Sequence, residues 1–156
     1  MGRIYNLPLV RTSVTVAVDL AEILTAATHI CVIHAIEVTQ STEAKDAEEE
    51  MLQLAWKSGS TTSGSGGNTA VVAVPVLLGD AASGLTIETF NTTKATAGTI
   101  VTHKVWDWNV RVPFLYYFTP ETRLIIPPAT RATLELVAAP GDPVTIGGQI
   151  CLEIIG

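Results

Sequence analysis

Several residues in this chain have types suited to chemistry. Glu37, Asp107, Glu135 and Glu153 are carboxylates set among strand-like runs, and two of them flanking a groove would supply the acid and base of glycoside hydrolysis. Any β-sandwich carries such carboxylates on its outer faces, and no spacing here selects a pair. His29, Cys31 and His34 suggest a metal site. In an extended strand, however, His29 and Cys31 share one face while His34 points to the other. A further ligand would have to come from His103 or a distant carboxylate, and the short-spaced ligand pairs of zinc modules are missing. These histidines read as core or interface residues. The acidic run at 43–50 lacks the alternating Asp/Asn ligands and central Gly of a calcium loop. The Ser-Gly-Ser-Gly-Gly at 63–67 has no following Gly-Lys-Ser/Thr and forms no nucleophile elbow. The reading is of a protein with no catalytic or metal site and no cofactor.

The remaining constellation is aromatic. KVWDWNVRVPFLYYF (104–118) holds six of the nine aromatic residues in the chain. Trp106, Trp108, Val110 and Val112 alternate with Val105, Asp107, Asn109 and Arg111, so one face is apolar and the other mostly polar. Pro113 lacks an N–H and predicts a bend or an edge position. Beyond it Phe114, Tyr116 and Phe118 alternate with Leu115 and Tyr117. Trp106, Trp108, Phe114, Tyr116 and Phe118 therefore read as core or subunit-interface residues. A sugar platform would need exposed rings beside polar neighbours, and here those neighbours point away from the indoles.

The elements that must position these residues are strands. Period-two alternation recurs in Ser-Val-Thr-Val-Ala-Val (13–18), and residues 99–105, 133–137 and 149–155 continue the strand pattern. Residues 29–39 are nearly all apolar and β-branched at their centre, as expected of a strand covered on both faces. Gly79-Asp80, Ala97-Gly98, Thr119-Pro120, Pro127-Pro128 and the Pro-Gly-Asp-Pro at 140–143 separate these runs as turns. Residues 41–57 fit either a helix or an acidic loop leading into a strand with Leu52, Leu54 and Trp56 on one face; the second is the expectation. SGSTTSGSGGNT (58–69) reads as a flexible surface loop. The whole predicts one all-β domain over 1–156, an antiparallel β-sandwich of jelly-roll type.

Composition narrows the partners. With nine Lys and Arg scattered among fifteen Asp and Glu, and a net charge of −6, nucleic acid is not an expected partner. The longest apolar run, at 70–78, is too short to span a bilayer and contains Pro75, so no membrane is expected either. No secretory signal is legible, and synthesis in the cytoplasm is expected. A mean hydropathy of +0.38 points to apolar surface between subunits. Cys31 and Cys151 read as reduced, buried thiols, with a disulfide open if the protein leaves the cell.

RIYNLPLVRTSVTVAVDLAEI at 3–23, TTSGSGG at 61–67 and LELVAAPGDPVTIGGQICLEIIG at 134–156 together resemble a group of short proteins encoded by tailed bacteriophages. The resemblance covers nearly the whole chain, and its motifs are structural. It implies a head decoration, or cement, protein on the capsid exterior of the virion, made in the host cytoplasm. Its implied partners are the major capsid protein and further copies of itself, as a trimer or dimer. Residues 1–11, including Arg3, Ile4 and Tyr5, and the loop at 58–69 are the docking arms expected under that reading. A tail or head-fibre module binding a host glycan and a polysaccharide hydrolase are the rival functions.

Overall fold

The computed structural model describes residues 2–42 and 50–156 and is built from β-strands. They are β1 (Arg3–Val14), β2 (Val18–Leu24), β3 (Ile30–Gln40), β4 (Met51–Thr62), β5 (Val74–Pro75), β6 (Thr86–Asn91), β7 (Thr96–Asn109), β8 (Phe114–Tyr117), β9 (Leu124–Ile126), β10 (Arg131–Leu136) and β11 (Val144–Ile155). One sheet has the order β5-β1-β11-β3-β8, with β9 also on β3; the other has the order β6-β2-β10-β4-β7. Every pairing is antiparallel.

The order has a simple logic. With β5, β6 and β9 set aside, β1 pairs with β11, β2 with β10, β3 with β8 and β4 with β7. These pairs are the rungs of one long hairpin, outermost strands first, rolled so that successive rungs fall in opposite sheets. That is the jelly roll expected from the sequence.

The core forms because each strand turns one face inward. Tyr5, Leu7 and Leu9 of β1, Ile150 and Leu152 of β11, and Ile33, Ile36 and Val38 of β3 line one sheet. Leu20, Ile23, Leu134, Leu136, Leu54 and Trp56 line the other. The inward phase changes within β3 because Cys151 faces Ala35 whereas Leu152 faces Ile33, leaving His34 as an extra, bulged residue.

Four expectations from the sequence are corrected or refined. Ser-Val-Thr-Val-Ala-Val (13–18) alternates like a strand but is the corner where the chain crosses between sheets: β1 ends at Val14 and β2 starts at Val18. Val14 and Val18 are buried in different sheets, and Val16 between them is exposed. Ala97-Gly98 is not a turn. Both residues have left-handed φ (58° and 74°) and sit inside β7, as a kink that keeps Gly98 paired with Ser60. The segment 58–69 is not a free loop: β4 runs on to Thr62, and Ser65 and Asn68 then bridge to Thr93 and Thr89. Residues 3–11 are not a free arm, because β1 is an inner strand between β5 and β11 with Tyr5 in the core. For the acidic stretch, residues 51–57 are strand as expected, with Leu52, Leu54 and Trp56 buried together. The part at 43–49 lies outside the described residues.

Candidate functional site

The aromatic cluster closes one side of the sandwich. Trp108 is buried and its Nε1–H donates to the Val112 carbonyl at 2.7 Å, which pins the turn before Pro113. Trp106 on β7 packs at 5.6 Å on Phe114, 5.2 Å on Tyr116 and 6.4 Å on Phe118, in edge-on or tilted geometries that suit the ring quadrupoles. These contacts join β7 of one sheet to β8 of the other. Phe118 is buried, while Trp106, Phe114 and Tyr116 are half-buried against the core. Lys104 places its ammonium about 6 Å from the Tyr116 and Phe118 rings. Tyr117, on the alternate face, is exposed. Arg3 and Ile4 sit at the surface of β1, and Arg3 lies 3.7 Å from Asp80.

The carboxylates do not converge. Glu37 accepts from Tyr117 Oη at 3.2 Å and Gln149 Nε2 at 2.8 Å, and Glu153 accepts from Gly2 N–H at 2.9 Å and contacts His34 Nε2 at 3.0 Å. Both lie on the outer face of the first sheet. Asp107 is exposed beside Gln53 on β7, and Glu135 belongs to the second sheet. His103 meets Ser58 Oγ at 2.7 Å, far in the fold from His34. Among the described residues no group of three His, Cys, Asp or Glu side chains is arranged to hold a metal ion. Cys31 and Cys151 are both free thiols. Burial pushes Cys31 up to about 12; Cys151 is raised too, by burial and then by Glu37. Neither is an activated thiolate.

The densest chemistry lies on the outer face of the second sheet, where the sequence reading had singled out Glu135 alone. Asp19 and Glu22 of β2 and Glu135 of β10 are buried there. Glu135 is clamped between Lys57 of β4 and Lys94, and Lys94 also donates to the Val137 carbonyl at 3.2 Å. Glu22 pairs with Arg131 at 2.7 Å and accepts from Ser63 Oγ (2.6 Å), Gly64 N–H (2.9 Å) and Asn91 Nδ2 (3.1 Å). Asp19 accepts from the Ala95 N–H at 2.7 Å. Its pKa is pushed up to about 6, chiefly by burial, with Glu135 and Glu22 adding to the rise and the Ala95 hydrogen bond and Lys94 opposing it. Asp19, Lys57, Lys94 and Glu135 border a cavity of about 180 Å³.

Two loops cover this charged face. Residues 63–68 cross β6 so closely that a Cβ on Gly67 would stand 2.2 Å from the Thr89 carbonyl oxygen, and one on Gly64 would stand 2.6 Å from that of Thr93. The glycines that read as flexibility are thus the condition for contact. Residues 94 and 95 form the second cover. The network's chemistry is cross-linking: each buried carboxylate ties a loop to a strand. Its signal in the sequence was faint, consisting of single acids inside apolar runs, Val-Asp-Leu-Ala-Glu-Ile-Leu at 18–24 and Leu-Glu-Leu at 134–136.

No protein-family model matches this chain, and no match is found among curated proteins or solved structures.

Proposed function

We propose that this chain is a virion structural protein of a tailed bacteriophage, a decoration protein that binds the outside of the capsid lattice and stabilises it by contacts repeated over many copies. The observation that carries this reading is the asymmetry of the two sheets. Loops tied down with buried ion pairs cover β2 and β10 of the second sheet, whereas the outer face of the first leaves Leu115, Tyr117 and Ile125, each more than half exposed, beside Glu37 and Glu153. A stiff body with an open sheet face that mixes exposed apolar side chains with carboxylates suits docking on a shell, where the work is done by buried area. The net charge of −6 suits the outside of a particle better than contact with packaged DNA. Jelly rolls serve in capsids and in lectins alike, so the fold alone assigns neither role. Against a glycan-reading module stands the use of the indoles: Trp108 is buried and Trp106 is engaged by three rings.

The partner under this reading is the major capsid protein. Quantifying the chain in purified virions tests it. Copies in the hundreds support a lattice role; a handful, or none, overturns it. Tyr117→Asp and Ile125→Asp alter exposed positions and are expected to abolish binding to capsids stripped of the protein while leaving its circular dichroism unchanged.

A further inference from the structure

Residues 70–79, Ala-Val-Val-Ala-Val-Pro-Val-Leu-Leu-Gly, include no ionisable side chain. Val71 and Ala73 turn inward and are buried. Val72, Val74, Val76, Leu77 and Leu78 are 66, 48, 56, 68 and 88% exposed. Extended geometry sets Val72, Val74 and Val76 on one side of the segment, and the turn closed by the Asp80 N–H to the Leu77 carbonyl, 3.1 Å, carries the two leucines. The segment is fastened to β1: Val74 pairs with Asn6, and the Val76 N–H donates to the Ile4 carbonyl at 2.9 Å. The result is a fixed apolar ridge along the edge of the first sheet.

Strand addition is not what this edge offers. β5 is two residues long and one of them, Pro75, has no N–H to give. Contact must come through side chains. The five exposed side chains present roughly 500 Å² of apolar surface, near the top of what the largest patch on a monomer shows. One side of a standard-size protein interface covers about 800 Å², of which about 60% is apolar. One ridge therefore matches the apolar share of one side of such an interface.

The rim identifies the occupant. Arg3 and Asp80 flank the ridge as a loose pair, 3.7 Å apart, with 56 and 23% of their side chains exposed. One cation and one anion beside a neutral ridge complement a copy of the same surface turned about a two-fold axis. A strongly charged partner would find no net charge to meet. We propose that residues 72–78 seat a second copy of this chain in an isologous dimer, in which Arg3 of each copy pairs with Asp80 of the other. The dimer is independent of the virion reading.

Sedimentation of the full chain between about 1 and 100 µM tests this, a range that spans ordinary dimer affinities. The wild type is expected to be a dimer. Leu78→Asp and Val72→Asp change exposed side chains, so circular dichroism is expected to stay constant while the dimer Kd rises at least about tenfold. Arg3→Asp is expected to weaken the dimer, and adding Asp80→Arg to restore it. Leu115→Asp, on the flat face of the same sheet, is expected to leave the Kd unchanged. A wild type monomeric at the highest concentration, a dimer that survives Leu78→Asp, or one lost instead on Leu115→Asp would overturn the proposal.

Discussion

Asp19 sets the most discriminating prediction. Its side chain is buried among Glu135, Glu22 and Lys94, with the Ala95 N–H as its hydrogen-bond donor, and its pKa is about 6 against an ordinary value of 3.8. The folded protein therefore holds this proton more tightly than the unfolded chain does. By linkage, Asp19 contributes most to stability below about pH 4, and its contribution falls as pH rises through 4 to 6, where the unfolded chain has already lost the proton. A shift of this size corresponds to about 3 kcal/mol between the two limits, and solvent screening at the cavity rim reduces it to about 1–3 kcal/mol. Asp19→Asn keeps an oxygen to accept from Ala95 but cannot ionise. Urea denaturation of both proteins at half-unit steps from pH 4 to pH 8 isolates the effect of Asp19 and its coupled neighbours Glu135, Glu22 and Lys94, because titrating groups remote from Asp19 cancel in the difference. Asp19→Asn is expected to be the more stable protein at pH 8, with its advantage level down to about pH 6–7 and shrinking from there toward pH 4. A difference that is flat with pH, or a wild type that gains on the variant as pH rises, would refute the reasoning. The second result would mean that Lys94 outweighs burial.

Three further outcomes follow from the packing. Trp108→Ala removes a buried ring and its hydrogen bond to Val112, and is expected to cost about 3–5 kcal/mol in urea denaturation; an unchanged midpoint would mean that the ring is dispensable. Gly67→Ala places a Cβ against the Thr89 carbonyl and is expected to cost about 1–3 kcal/mol, with faster hydrogen exchange confined to residues 63–68 and their partners on β6. An aromatic disulfide reagent at pH 8 is expected to modify Cys151 slowly and Cys31 only after unfolding, since burial raises both thiols and Cys31 the more.

How much of this was legible in the residues differs from element to element. The runs that became β10 and β11 were readable because alternation reports which side chains face a core, and the run that became β3 because it is nearly all apolar and β-branched. The same rule misled at 13–18, where alternation continues through a corner: burying Val14 in one sheet and Val18 in the other satisfies the pattern without a strand between them. It misled again at Ala97-Gly98, because a left-handed pair serves a bulge as well as a turn.

What the sequence alone determined is the class of fold, the separation of Glu37, Glu135 and Asp107 onto different strands, and the clustering of rings at 106–118. Those are properties of local spacing and residue type. Only the tertiary structure decided what the Gly/Ser stretch does. Ser63 and Gly64 acquire their meaning from Glu22, 41 and 42 residues earlier in the chain. Likewise Glu135 becomes a clamp only because β4 and the residue-94 loop deliver Lys57 and Lys94 to it. Desolvation and ion pairing depend on what is brought close from afar, and no local pattern records which distant segment will arrive.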